Sequence, residues 1–402
     1  MYFHVLFVFL AVYQQDMIIF ERQISDTIKR ELSKYPIVAL TGPRQSGKST
    51  LIKHLFTEYT YISLENQDLR HYAEEDPNKF LMEFNSRVII DEAQRVPHIF
   101  SYLQTHVDEQ QAMGQYILSG SQNFHLMENI TQSLAGRVSI LKLFPFDITE
   151  LKQSGNLSSD WRTLLLKGFY PAIYQRDIDS SGYYTNYLHT YVNRDISKLI
   201  NVHNTNLFRN FVSLCASRTG QLLNLSNLAN ECGIAFSTAK SWLSVLESSY
   251  IVFLLHPYYE NFTKRIVKSP KLYFYDTGLV SHLLGIKRTE ELMKETLRGM
   301  LFENLVVSEI QKRNYHQNQF RNFWFWRDSN GREVDMLEKS VRGFDIYEIK
   351  STSTIMPKLI KGLDYFDHIT KGRVKSKTLI YGGEEDQDRT KFRVRSWKSA
   401  DI

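Results

Sequence analysis

The stretch Gly42-Pro43-Arg44-Gln45-Ser46-Gly47-Lys48-Ser49-Thr50 constrains this chain more than any other. It fits the pattern GxxxxGK[ST] in full. A short apolar run, PIVALT (36–41), precedes it, and a helical pattern follows through about Phe56. Strand, glycine-bearing loop and helix in that order leave few architectures open. Gly42 and Gly47 let the backbone wrap closely, so that consecutive N–H groups and the N-terminus of the helix converge on one anion. Lys48 is then expected to reach the β- and γ-phosphates of a nucleotide and Ser49 to ligate Mg²⁺. Pro43, Arg44, Gln45, Ser46 and Thr50 complete the expected cradle.

A second motif stands about 40 residues on. Val88-Ile89-Ile90-Asp91-Glu92 is an apolar strand ending in two carboxylates. Asp91 is expected to hold the Mg²⁺ shell and Glu92 to polarise the attacking water as general base. QYIL (115–118) ends in Ser119, Ser121, Gln122 and Asn123, where Ser121 is the preferred sensor of the γ-phosphate. Arg137 is a candidate arginine finger, acting in its own or a neighbouring subunit. A polar turn and a solvated surface arginine are the alternative readings of these two.

Strand patterns at 36–41, 60–64, 87–90, 115–118 and 137–144 alternate with helical ones, which predicts a parallel sheet covered on both faces. Residues 17–150 thus read as an α/β nucleotide-hydrolase domain, and 151–205 as a helical lid or connector.

Residues 206–270 carry a helix-turn-helix pattern. One helix from about Ser226 ends at Gly233, and another starts with Ser237 as N-cap. The apolar run 250–255 would make it a winged variant. Its outer face, Ser237, Thr238, Lys240 and Ser241, carries one cation. Phosphate contacts dominate DNA affinity, so a protein-packing use competes with DNA binding.

Residues 271–402 show a third pattern. A helix carries Glu303, and strands follow carrying Asp335, then Glu348 and Lys350. Alternation puts Glu348 and Lys350 on one face. Two acids and a lysine at adjacent strand centres are costly unless they bind a cation. Asp335 and Glu348 are the expected Mg²⁺ ligands, Lys350 the group that stabilises the phosphorane, and Glu303 the residue completing the site. This is the PD-(D/E)XK nuclease constellation, and αβββαβ is the expected element order. Lys358, Lys361, Lys371, Arg373, Lys375 and Lys377 are candidate phosphate contacts.

The charge distribution agrees. Net charge is +5, with 22 basic and 25 acidic residues in 1–260 against 27 and 19 in 261–402. The basic C-terminal third hints at a polyanionic partner. Cys215 and Cys232 support neither a disulfide framework nor a metal-ligand spacing. Residues 1–16, largely MYFHVLFVFLAVY, are too short to span a bilayer and lack a basic n-region. Met17 is the expected start, with a short membrane-associating segment as the rival reading.

Taken together, LTGPRQSGKST (40–50), VIIDEAQ (88–94), LSGSQ (118–122), SLAGRV (133–138), FPFDITEL (144–151), GFYP (168–171), YVNRDI (191–196), YFYDTGL (273–279), GMLFENLVVSEI (299–310), REVDML (332–337) and YEIKST (347–352) resemble one large prokaryotic family. Its members are predicted AAA-superfamily ATPases with a C-terminal winged-helix and PD-(D/E)XK nuclease-like region. The resemblance runs from about Met17 to Phe366. It implies an α/β fold with a P-loop AAA-type parallel-sheet domain, a helical and winged-helix module, and a restriction-endonuclease-like domain. It also implies ATP and Mg²⁺ as cofactors and a cytoplasmic location. Arg194-Asp195 match a family turn whose role the residues do not disclose.

Two functions follow as expectations. One is an ATPase coupled to nucleic-acid binding or Mg²⁺-dependent cleavage, with DNA the candidate partner and a homo-oligomer the candidate assembly. The other is an ATP-driven switch or interaction module that does not cut.

Overall fold

The computed structural model describes residues 20–120, 130, 133–191, 204–260, 267–293 and 295–399. The expected sensor Ser121, its neighbours Gln122 and Asn123, the Arg194-Asp195 turn and residues 1–16 lie outside the described residues.

In the first unit, β1 (Ile37–Thr41), β2 (Thr60–Ser63), β3 (Val88–Asp91), β4 (Tyr116–Ser119) and β5 (Val138–Lys142) form one sheet in the order β2-β3-β4-β1-β5. All its pairings are parallel. Ile37 and Ala39 join an apolar cluster with Ile62, Ile90 and Leu118. Val38 and Leu40 join another with Ile52, Ile89 and Ile117. Burial on both faces explains why the inner strands β1, β3 and β4 read as apolar runs. The register sets Leu40 and Asp91 either side of Ser119. Loops leaving β1 and β3 therefore open at the same edge of the sheet, with β4 between them.

The middle unit holds the described helices Trp161–Lys167, Pro171–Gln175, Ser180–Tyr187, Thr205–Ser217, Leu225–Cys232 and Phe236–Ser248, and Thr277–Leu283 near its end. An antiparallel ribbon of β6 (Val252–Leu255) and β7 (Lys271–Phe274) follows Phe236–Ser248. Gly233, at φ +68°, ends the helix Leu225–Cys232 in the left-handed conformation that glycine takes at little cost. Phe236 opens the next helix, so extended Ala235 stands at the N-cap where Ser237 was expected. The expected boundary at 271 falls inside the ribbon, because β7 pairs with β6.

The C-terminal unit opens with the helix Glu295–His316. Then come β8 (Phe323–Arg327), β9 (Glu333–Ser340), β10 (Gly343–Lys350), the helix Lys361–Ile369 and β11 (Val374–Tyr381). That is the expected order. β12 (Gln387–Asp388) and β13 (Arg393–Ser396) extend the sheet to β12-β13-β11-β10-β9-β8. β10 and β11 run parallel, so the helix between them is a crossover on one face.

The units interlock. Helix Glu295–His316 buries its last turns against residues 144–150 of the first unit. Lys312 Nζ donates to the Phe146 carbonyl at 2.7 Å, and Glu309 Oε1 accepts from Ile148 N at 2.6 Å. Among the described residues, no helix is long and apolar enough to cross a membrane.

Candidate functional site: a phosphate loop and a carboxylate-lysine cleft

Gly42 has φ +146°, and a Cβ there would lie 2.0 Å from the Leu143 carbonyl oxygen, so no larger residue fits. Gln45 and Gly47 also take positive φ, 63° and 94°. These turns curl the loop into a nest ahead of the helix Lys48–Leu55. Lys48 Nζ donates to the Gly42 and Pro43 carbonyls at 2.9 and 2.8 Å. Burial pulls its pKa down to about 8, against the upward pull of Glu92 and Asp91. A cation so poorly solvated gains strongly from an arriving phosphate.

Asp91 is the hub of the opposite wall. Its Oδ2 accepts from Ser49 Oγ at 2.8 Å and from Tyr61 OH at 2.5 Å. Its Oδ1 accepts from Ser119 Oγ and from Glu92 N, the latter at 3.2 Å. The Ser49–Asp91 pair is an oxygen-only donor set of the kind Mg²⁺ takes. Glu92 has φ +55°, which is uncommon for a residue with a Cβ. Gln94 Nε2 donates to its Oε2 at 2.5 Å and fixes the carboxylate. Sequence reasoning assigned roles to neither Tyr61 nor Gln94.

Arg137 is a correction. Its backbone carbonyl accepts from Ile37 N, at the start of β1 and β5, while the phosphate loop leaves the far end of β1. A five-residue strand spans about 16 Å. The guanidinium binds Asp108 through two bonds of 2.6 Å. Arg137 therefore does not reach the loop of its own chain.

In the C-terminal unit, the expected group does converge. Lys350 Nζ lies 3.0 Å from Asp335 Oδ2 and 2.6 Å from Glu348 Oε1. Asp335 Oδ2 also accepts the backbone N–H of Ile349 at 2.8 Å. Its side chain stands in for a ladder bond where β9 leaves β10. Glu348 Oε2 is buried without a hydrogen-bond partner. Burial and the Asp335 charge push the Glu348 carboxyl up to about 8. Burial also pushes Asp335 up, but Lys350 and Lys271 hold it below its ordinary value.

Glu303 joins from the helix. It pairs with Lys271 at 2.8 Å and accepts from Tyr273 OH at 2.6 Å. Lys271 also pairs with Glu333. Ligand oxygens of Glu303, Glu333 and Asp335 lie within 4.8 Å of one another. Sequence reasoning missed Lys271 and Glu333. Lys271 belongs to another unit, and only the tertiary contact brings it here.

These residues line a cavity of about 1060 Å³. Arg327, Arg332, Lys358 and Lys361 give it basic walls. The other expected phosphate contacts are elsewhere. Arg373, Lys375 and Lys377 pair with Glu260, Asp345 and Asp364. Lys371 and Arg373 precede β11, Lys375 and Lys377 lie in its first half, and that strand's far end, Tyr381, is level with Lys350.

A further buried network had no sequence-level role. His316 Nδ1 lies 2.9 Å from Asp147 Oδ2, and His316 Nε2 accepts from Phe144 N at 3.2 Å. That acceptor role puts the imidazole proton on Nδ1. Asp147 and Glu150 form a capping box. Asp147, Glu150 and His316 could by composition hold a metal, but each is already bonded within the protein. The FPFDITEL run, noticed only as a shared motif, is the docking surface for the C-terminal helix.

Residues 34–152 match the family model described as AAA domain. Residues 158–290 and 298–399 match two models described as Domain of unknown function (DUF8612) and Domain of unknown function (DUF4143). With the loop geometry, the first match identifies a P-loop AAA-type ATPase domain. Among solved structures, the chain is similar to the Walker-type ATPase PABY2304 of Pyrococcus abyssi, with 15% identity and a TM-score of 0.43 over 66% of this chain and 96% of that one. It is also similar to the ADP form of the ORC2 protein of Aeropyrum pernix, at 13% identity and a TM-score of 0.34 over 73% and 96%. Uncharacterized protein Rv2008c of Mycobacterium tuberculosis is 31% identical over 344 residues, 84% of this chain and 75% of that protein. The chain, with its own AAA-type P-loop domain, belongs to the same family as Rv2008c.

Proposed function

We propose that the protein is an ATP-hydrolysing enzyme whose nucleotide cycle governs Mg²⁺-dependent cleavage of nucleic acid in the C-terminal cleft. At the first site, Lys48 and the loop N–H groups bind the phosphates. Ser49 and Asp91 would hold Mg²⁺, and Glu92 takes the proton of the attacking water.

The observation that carries the second half is the meeting of Asp335, Glu348 and Lys350 on a basic-walled cleft. Hard oxygen donors and the unpartnered Glu348 Oε2 fit Mg²⁺. The ion would neutralise charge on the phosphodiester and make bound water more acidic. Asp335 and Glu348 would hold it. Lys350 would stabilise the negative charge that builds on the phosphoryl oxygens when water adds and the P–O bond to the leaving oxygen breaks. The attacking water gives up a proton to solvent, and the leaving oxygen takes one from it. Helix Phe236–Ser248 and the β6–β7 ribbon read as a winged helix that presents the substrate.

A second reading, an ATP-driven switch that does not cut, has its own support. Lys271 and Lys350 already neutralise the acids of the cleft. The outer face of the winged helix exposes 53% of Phe236 and carries Lys240 as its cation, which suits a protein partner as well as DNA.

Incubating plasmid and single-stranded DNA with Mg²⁺ or Mn²⁺, with and without ATP, separates the two. Cleavage that vanishes in Lys350→Ala supports the nuclease, and its loss in Lys48→Ala supports gating by ATP. ATP hydrolysis without cleavage under any condition supports the switch.

A further inference from the structure

Arg22 is an arginine that sequence reasoning passed over. Its guanidinium is buried and spends its donors on three acceptors. Nη1 donates to the Ser46 carbonyl at 2.9 Å, Nη2 to the Phe144 carbonyl at 2.6 Å, and Nε to Glu150 Oε1 at 2.9 Å. The Phe146 ring lies 4.9 Å from its carbon. A Cβ built on Gly47 would sit 3.6 Å from Nη1. Arg22 therefore stands directly behind the phosphate loop.

We propose that Arg22 is a positioning residue for phosphate recognition, holding the Ser46–Gly47 peptide so that the Gly47 N–H faces the phosphate. This rests on the reading of residues 42–50 as a nucleotide site. A trans peptide is planar, so its C=O and N–H point to opposite sides. Fixing the Ser46 carbonyl outward fixes the Gly47 N–H inward. Gly47 is free to rotate otherwise, since it lacks a Cβ and takes φ +94°. Only a planar fork with several donors in one plane meets three acceptors at once, and lysine does not.

Arg22 is itself held from the C-terminal unit. Glu150 accepts from Arg22 and from the N–H groups of Gln23 and Asp147. Asp147 meets His316, the last residue of the helix that carries Glu303. The shape of the phosphate loop thus depends on the docking of that helix.

The test is ATP hydrolysis and ADP binding by the full chain, wild type beside Arg22→Lys and the double variant Arg22→Gln/Glu150→Gln. The double variant removes both charges, so no unpaired buried ion opposes folding. Melting curves identify the folded samples. One charge-assisted hydrogen bond lost indirectly predicts a KM for ATP and a Kd for ADP raised about tenfold in both variants, with kcat changed less than about threefold. Wild-type KM and Kd in either folded variant, with only the melting temperature lowered, would overturn the proposal and leave Arg22 a packing residue. A wild type that binds neither nucleotide would instead sink the nucleotide reading, and the proposal with it.

Discussion

Lys271, on a strand of the middle unit, reaches into the C-terminal unit and meets Glu303 at 2.8 Å with its own side chain almost fully buried. Three ionisable groups, Lys271, Glu303 and Glu333, thus share one poorly hydrated space. Burial pushes the Glu303 carboxyl up, and Lys271 opposes that shift. Removing one partner of such a set leaves the rest uncompensated, at a cost of about 3–5 kcal/mol. Lys271→Met is expected to lower the melting temperature by several degrees. Adding Glu303→Gln is expected to restore part of the loss, because one unpaired charge is then gone. Calorimetry or thermal melts of both variants check this. Equal melting temperatures for wild type and Lys271→Met would mean that the pair contributes nothing.

As the proposed general base, Glu92 is expected to separate binding from chemistry. Glu92→Gln keeps the size and one carbonyl oxygen of the side chain but cannot accept a proton from water. Hydrolysis is expected to fall roughly 10²–10⁴-fold, while ATP still binds. Single-turnover hydrolysis beside equilibrium binding measures the two. Loss of binding equal to the loss of rate would assign Glu92 to the architecture of the loop instead.

Lys48 gives the nucleotide site a pH dependence. Its pKa in the free protein is about 8, below the ordinary lysine value because of burial. A bound polyphosphate favours the charged form, so its pKa rises on binding. Below pH 8 the ammonium is already charged, and affinity is insensitive to this group. Above pH 8 binding must take up a proton, and affinity falls as pH rises. Near pH 8.5, titration calorimetry in buffers of different ionisation enthalpy is expected to show uptake of at most about 0.75 proton per ATP, rising toward one at higher pH. No uptake at any pH would mean that Lys48 does not meet the phosphates.

Gly42→Ala is expected to be severe for a steric reason. The added methyl would meet the Leu143 carbonyl at 2.0 Å, and the backbone there has φ +146°. The cost is about 1–3 kcal/mol for the conformation, plus whatever movement relieves the clash. A lower melting temperature and the loss of stabilisation by saturating ATP are the expected results. Normal ATP stabilisation would show that the loop can move without losing its ligand.

The inner strands β1, β3 and β4 could be read from the chain because burial on both faces leaves a continuous apolar signature, while the edge strands β2 and β5 are partly exposed and showed as mixed patterns; each of the five ends in a polar residue. Asp91 and Ser49 were legible for the same reason. The chemistry there is written at strand ends and in a loop of fixed spacing. Their approach to 2.8 Å needed only one parallel sheet. The Asp335, Glu348 and Lys350 set was legible because two adjacent strands carry it, and period-two alternation decides the face.

Other groups were decided only by the tertiary structure. Lys271 reaches Glu303 and Glu333 because β7 packs beside a helix 30 residues further on. Arg22, Glu150 and His316 are separated by 128 residues and more, and no local pattern marks them as partners. Arg137 shows the converse. Its motif pointed to the nucleotide, but the direction of β5 put it at the other end of the sheet. Local sequence sets which backbone bends and which faces bury. Long-range packing sets which buried charges meet, because a buried ion must find its counter-ion wherever the fold provides one.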